Sequence, residues 1–446
     1  MLLYFTDPIL RAPTMGCMLI CFVAAVVGAL SVLKRQSLVG EALSHAAYPG
    51  VMAALLVERL FFGIDLASLV FVLVGASISC LIGMWCIDTL EKRARVSADA
   101  AMCLILALFF GIGITLVSVA QVRFPTLYKQ MQSYLFGQAA TMTDVHVVVY
   151  AVFAVVVLTF LVLLFRPIHL VIFDPQFARS IGINTKLIDA LIMSILVVAV
   201  VIGIRSVGVV LMSAMLIFPC VTARAWTNRL SALLIIAGFL GTLAGFFGVF
   251  FSHEISLYVS TGQSRAISFP TGPMIVVIAT LFFAISFLFA PNRGLIFRAY
   301  RRLGFFFQCQ QENILKNAWK HCVQEGRSEI EKEMLYSYYQ RSYVIFWYML
   351  YLLQRKGWLK KSHEQYELTP SGMLWGRKIV RLHRLWEVYL VEYCGLAKER
   401  VHPSAEKMEH IITPEIEKEL TELLHDPVHD PHAKPIPPSD QELLHL

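Results

Sequence analysis

Two short stretches toward the C-terminal end carry imidazoles and carboxylates at one-turn spacing: His383 with Glu387, then His402, Glu406, Glu409 and His410. Residues four apart share a helical face, so His383–Glu387, His402–Glu406 and Glu406–His410 each offer two donors on one side, with Pro403 expected to put His402 at a helix start. A lone His or Glu on a helix is usually a solvated residue. Such donors gathered on neighbouring helices form a candidate metal centre instead. No thiolate is among them, and mixed imidazole and carboxylate donors suit Fe²⁺ or Mn²⁺, with Zn²⁺ competing through raw affinity. A second pair, Glu41 and His45, lies within Gly40-Glu41-Ala42-Leu43-Ser44-His45, where an apolar run begins. Ionisable residues at the edge of a membrane span face a bundle interior or a water-filled path. Glu41 and His45 therefore either fasten the span or line an ion path, and spacing alone does not choose.

The elements that must position these residues follow from composition. Of 446 residues, 57% are hydrophobic and 15% charged, where ordinary soluble domains carry about 25% charged residues. A single water-soluble globule is excluded. Charged residues are sparse up to Pro291 and dense from Asn292 onward. Apolar runs matched to the ~20 residues a bilayer needs predict spans near 15–33, 43–61, 66–87, 98–119, 146–165, 187–204, 206–223, 230–251 and 272–290. Alternate loops on one side hold Lys34, Arg35, Lys92, Arg93, Arg95, Arg166, Arg179, Lys186, Arg224 and Arg229; the other side holds Arg11, Arg59, Arg123, Lys129, Arg205 and Arg265. The richer set belongs inside, which puts the N-terminus outside and the C-terminal tail in the cytoplasm. The net charge of +7 fits this cytoplasmic excess as well as it fits an anionic partner. The nine cysteines lie mostly in apolar runs without CxxC pairing and read as small core residues.

The tail is amphipathic rather than uniformly apolar. It predicts helices near 311–324, 328–339, 342–356, 370–394, 403–411 and 414–424, with a two-stranded ribbon at Trp358–Leu368. Thr369 and Pro370 supply a cap and an N1 proline for the long fourth helix. Helices, ribbon, then a longer helix is the winged-helix pattern. From Asp426 the chain is too proline-rich for a helix and reads as an extended arm. The expected fold is thus an all-α polytopic membrane domain of about nine transmembrane helices (1–291) and a junction (292–311). A winged-helix DNA-binding domain (312–370) and a helical metal-binding and dimerisation domain with its arm (371–446) follow. Between two spans, Phe173-Asp174-Pro175-Gln176-Phe177-Ala178-Arg179-Ser180-Ile181-Gly182-Ile183 predicts a short amphipathic helix bracketed by proline and glycine, suited to docking a cytoplasmic partner.

Gly40–Val51, Phe173–Asn184 and the run Val207–Pro219 resemble the permease subunits of bacterial ABC importers for manganese, zinc and iron, over roughly residues 15–290. The resemblance implies a multi-pass protein of the bacterial inner membrane. It also implies a homodimer or a second permease subunit, and an extracytoplasmic metal-binding protein that delivers the ion; whether Glu41 and His45 line its path or fasten the span stays open. A separate ABC ATPase subunit would dock at Asp174, Pro175, Phe177, Ala178 and Gly182. The chain has no G-x-x-x-x-G-K-[ST] of its own. Neither a P-loop nor a nucleophile–base signature points to an enzyme.

Leu382–Glu387, Val401–His410 and Asp430–Pro437 resemble the metal-sensing and dimerisation domain of the diphtheria-toxin-repressor family, the match covering about residues 311–438. That resemblance implies one metal position at His383, Glu387 and His402 and a second at Glu406, Glu409 and His410, with no room for the SH3-like domain of longer members. The family's first helix supplies further ligands where this chain has Asn313 and Lys316. The two halves in one chain resemble the chlamydial type of iron permease and repressor fusion, which makes Fe²⁺ the first choice as transported ion and corepressor, with Mn²⁺ or Zn²⁺ as alternatives. Operator DNA would be met by Arg341, Ser342 and Tyr343 at the recognition-helix start and by Lys360 and Lys361 in the wing. That helix is unusually aromatic for a major-groove reader. The alternative function is a tail that never touches DNA and closes the permease when cytoplasmic metal is high. A repressor beside a bilayer must bring DNA to the membrane or be cut free, and the expected cut within Asn292–Gln311 would release a soluble C-terminal fragment.

Overall fold

The computed structural model describes residues 3–62, 69–137, 139–260, 269–291, 293–327, 329–339, 343–362 and 365–438. The chain divides into two compact units, Met1–Arg298 and Ala299–Leu446.

The first unit is built of α1 (Leu3–Thr6), α2 (Pro8–Leu33), α3 (Ser37–Phe62), α4 (Leu69–Lys92), α5 (Ala98–Arg123), α6 (Pro125–Phe136), α7 (Asp144–Phe173), α8 (Pro175–Ser180), α9 (Thr185–Val207), α10 (Val209–Trp226), α11 (Leu230–Ser260) and α12 (Thr271–Phe289). Seven helices among the described residues are long and apolar enough to cross a membrane. The other two expected spans fall on α3 and α10. α3 is long but carries Glu41, Glu58 and Arg59, and α10, at 18 residues, is near the lower limit for a crossing. Both lie inside the bundle: α3 packs on α4 and α5, and α10 on α2, α11 and α12. α2 is the central helix, touching α7, α9, α10 and α11. Small residues let the backbones meet there. A side chain at Gly28 would lie 2.1 Å from the Leu216 carbonyl of α10, and one at Gly50 of α3 would lie 2.2 Å from the Gly75 carbonyl of α4.

The second unit begins in α13 (Leu295–Glu325) and continues through β1 (Glu329–Glu331), α14 (Lys332–Tyr339), α15 (Tyr343–Arg355), β2 (Leu359–Ser362), β3 (Gln365–Leu368), α16 (Pro370–Glu392), α17 (Lys398–Met408) and α18 (Pro414–Leu423). Three expectations change. The ribbon is one part of a three-stranded antiparallel sheet of order β1-β3-β2, because Ile330 pairs with Tyr366 in a stretch expected to be helical. Helix occupies the expected junction from Leu295 onward, since its exposed arginines and apolar residues alternate with a helical period. Pro403 lies inside α17, which starts at Lys398, so His402 sits in the second turn rather than at the helix start. Thr369 does cap α16, its hydroxyl accepting from Gly372 N at 3.1 Å. One core joins Ile314, Leu315, Leu335, Phe346, Leu350, Leu353 and Tyr366.

The proline-rich arm is not free. Ile436 is buried with Leu385, Val388 and Leu424. Arg381 donates to the Pro437 carbonyl at 2.7 Å, and Asp430 Oδ1 accepts from His432 N and Lys434 N. The arm therefore folds back and covers one side of α16.

Candidate metal centre

α16 and α17 pack against each other, and this contact brings the first three predicted donors together. His383 and Glu387 stand one turn apart on the buried face of α16, and His402 projects from α17. Their ligand atoms lie within 4.8 Å of one another. Glu387 Oε1 is 2.9 Å from His402 Nδ1 and 3.3 Å from His383 Nε2, and the two imidazoles approach to 3.0 Å. Donors sharing one ion at about 2 Å would have similar mutual spacings, so the residues fit a divalent metal. His383 and Glu387 are almost fully buried, whereas the His402 side chain is 53% exposed. One side of the centre therefore opens to water, and there Glu406 Oε1 lies 3.5 Å from His402 Nε2.

Glu409 has a different part from the one expected. Its Oε2 accepts a hydrogen bond from His383 Nδ1. A carboxylate on the far ring nitrogen orients the imidazole and makes Nε2 the nitrogen that a metal would take once its proton leaves. Glu409 Oε1 accepts from Lys316 Nζ of α13 at 2.6 Å, both side chains being buried. His410 Nδ1 meets Glu312 Oε2, also on α13, at 2.6 Å. The six predicted donors thus divide: His383, Glu387 and His402 converge with Glu406 beside them, while Glu409 and His410 face Lys316 and Glu312. Reading the sequence misses Glu312, one residue before Asn313. Only the fold brings α13 to α17.

The electrostatics follow from these contacts. Burial disfavours the charged form of Glu387, yet hydrogen bonds from His383 and His402 hold its pKa down at about 2. Burial likewise works against the His383 imidazolium, but Glu387 and Glu409 outweigh it and raise the pKa above its ordinary value. Glu409, also opposed by burial, is lowered by His383 and Lys316. The centre therefore keeps two buried carboxylates ionised beside His383, whose proton an arriving cation has to displace.

Elsewhere, Glu41 and His45 share one side of α3. Glu41 is partly exposed, and His45 is buried with its ring edge-on to Phe110 at 4.9 Å. His45 Nδ1 has no hydrogen-bond partner among the described residues. In the loop between α7 and α9, Asp174 accepts from Phe177 N at 2.9 Å, capping α8, which starts at Pro175. Ala178 is buried, Phe177 and Ile181 are exposed, and Gly182 ends the turn at φ +85°. Arg341 and Ser342 lie outside the described residues. Tyr343 opens α15 with its hydroxyl accepting from Lys332 Nζ at 2.8 Å, and Lys332 also lies 4.4 Å over the Trp347 ring. Lys360 and Lys361 are exposed on β2.

A bundle of apolar helices followed by a helical tail with a three-donor centre defines a class, a polytopic membrane protein with a metal-binding tail. The chain belongs to the ABC 3 transport family, whose model matches residues 6–290, and a model of the iron dependent repressor, metal binding and dimerisation domain matches residues 369–438. It is 34% identical over 442 residues to a probable metal transport system membrane protein of Chlamydia trachomatis, covering 97% of each chain. It is 32% identical over 383 residues to the manganese transport system membrane protein MntC of Bacillus subtilis, covering 86% of this chain and 84% of that one. The solved structure of PsaBC from Streptococcus pneumoniae in complex with Fab aligns with a TM-score of 0.55 at 25% identity, covering 65% of this chain and 94% of that chain. The protein is therefore a multi-pass metal ABC permease fused to an iron-dependent repressor domain. It is a transport component rather than an enzyme.

Proposed function

We propose that this chain imports Fe²⁺ through its membrane unit and senses the same ion in its tail, repressing transcription of the uptake system as metal accumulates. The observation that carries this reading is the convergence of His383, Glu387 and His402 from two helices in a chain whose other half is a metal permease. The repressor domain's match to iron-dependent regulators favours iron. Manganese is the second choice, with zinc after it, and the relatives named for those ions keep both in view.

In this reading nine helices cross the bilayer, α3 and α10 being the two interior ones, with the N-terminus outside and the tail in the cytoplasm. The permease pairs with a second copy or a second permease subunit, and an extracytoplasmic binding protein delivers the ion, which passes Glu41 and His45. A separate ATPase docks on α8, where exposed Phe177 and Ile181 form the contact, buried Ala178 seats the helix, and Asp174, Pro175 and Gly182 fix its ends. In the tail, α13 to β3 act as a winged helix that meets operator DNA through Arg341, Ser342, Tyr343, Lys360 and Lys361. Metal bound between α16 and α17 favours the DNA-competent dimer by binding that state better. A cut between Asn292 and Gln311 frees the tail. Because helix covers that stretch from Leu295, the cut requires local unwinding, and immunoblotting for a soluble tail fragment tests it.

The Lys332 contact with Tyr343 and Trp347 favours a second reading. It occupies the start of the presumed recognition helix, as a tail that only inhibits the permease could tolerate. A reporter driven by the gene's own promoter separates the two. Repression by added iron that disappears in the Glu387→Gln/His402→Ala double variant supports the first reading, and a reporter indifferent to metal and variant supports the second.

A further inference from the structure

We propose that Lys316 is a built-in cation that takes the place of a second metal ion, so that the tail binds one ion per chain. The proposal rests on the metal-sensing reading above and deepens it.

The second group of predicted donors does not fit a metal. Both oxygens of Glu409 are engaged within the chain, Oε1 by Lys316 Nζ at 2.6 Å and Oε2 by His383 Nδ1. The Lys316 and Glu409 side chains are 4% and 0% exposed, so the ammonium is a fixed part of the interior rather than a surface charge resting there. His410 Nδ1 is taken by Glu312. His410 Nε2 is buried, has no hydrogen-bond partner among the described residues, and faces the same Glu409 oxygen at 3.6 Å. A carboxylate oxygen and an imidazole nitrogen thus converge, as they would on an ion, and the lysine already supplies the charge. A divalent ion entering here would meet an ammonium across a low-dielectric interior, where like charges repel strongly. Drawing Glu409 onto that ion would in turn leave the buried Lys316 ammonium without its carboxylate.

The consequence is a division of labour. Lys316–Glu409 and Glu312–His410 both tie α13 to the end of α17, and neither needs metal. Metal at His383, Glu387 and His402 joins α16 to α17 alone. The tail therefore responds to a single ion, its α13–α17 junction being closed at all metal levels. Glu409 links the two places, because it holds Lys316 with one oxygen and orients His383 with the other.

The test counts metal on the full-length chain in detergent micelles, equilibrated anaerobically with Mn²⁺ as probe and measured by mass spectrometry of the ion. The Glu387→Gln/His402→Ala variant, which leaves the His383–Glu409–Lys316 chain in place, sets the number bound elsewhere in the protein. The expected difference between wild type and this variant is one ion per chain. Lys316→Glu, which exchanges the cation for a carboxylate, is expected to bind one ion more than wild type. A His410→Ala variant, which removes a donor of the second place, is expected to bind as many ions as wild type. A His410→Ala protein that binds one ion fewer overturns the proposal, and so does a correctly folded Lys316→Glu protein that binds no more than wild type. A difference of zero removes the metal-sensing reading itself, and the proposal with it.

Discussion

At the scale of single residues, the centre sets proton against metal. Glu387 is held at about 2 by His383 and His402 against its burial. Its contribution to the metal-free fold is therefore complete above the ordinary carboxylate range and is lost as pH falls toward 2. His383 is raised despite burial, so its contribution is complete below the ordinary imidazole value of about 6.5 and is lost as pH climbs through its raised value. A bound metal needs His383 Nε2 unprotonated, so binding releases that proton. Mn²⁺ affinity of the tail should accordingly rise about tenfold per pH unit below the raised His383 value and level off above it. Calorimetric titration at several pH values checks this, and a flat profile from pH 5.5 to 7.5 would contradict it. His383, Glu387 and His402 are legible in the sequence because one-turn spacing marks a shared helical face. Glu312 is not, because it lies 98 residues from His410, and Lys316, 93 residues from Glu409, is marked only by the resemblance. No local pattern announces which first-helix side chain will turn toward α17.

At the scale of elements, α8 is the part most exposed to test. Gly182 has φ +85° and open space where a Cβ would be, so a bulky residue there strains the backbone by roughly 1–2 kcal/mol without striking a neighbour. Gly182→Val should leave the protein folded and membrane-inserted but tilt α8 and its exposed Phe177. Metal uptake should then fall at least tenfold while the ATPase subunit still hydrolyses ATP. Uptake of radioactive Mn²⁺ in cells expressing the complete transporter measures it, and unchanged transport would remove α8 as the coupling element. Apolar runs and proline or glycine brackets make most of these elements readable in advance. The α3 and α10 helices are harder, because the charged residues of one and the 18-residue length of the other are compatible with an interior position that only the packing reveals. Strand β1 is harder still: Glu329-Ile330-Glu331 forms a strand because β3 offers a free edge, a tertiary cause that overrides local preference.

At the scale of the whole molecule, two compact units share one chain and, in the proposed function, one ligand. The first unit's core is continuous across its helices, and the second has a core of its own centred on Leu315, Phe346, Leu353 and Tyr366. Composition alone makes this division legible, since the change from sparse to dense charge at Asn292 falls close to the boundary at Arg298. What composition does not carry is the proposed link between metal and DNA, which would run through the α16–α17 contact and Tyr343, whose hydroxyl is already held by Lys332. Binding of the full-length chain, in detergent micelles, to fluorescent DNA from its own promoter tests that link most directly, with anaerobic Fe²⁺, Mn²⁺ or chelator and with the Glu387→Gln/His402→Ala variant alongside. Repression by metal predicts binding at least tenfold tighter with Fe²⁺ than with chelator, and loss of that gain in the variant. Equal affinity with metal and chelator, or no specific binding at all, would contradict it.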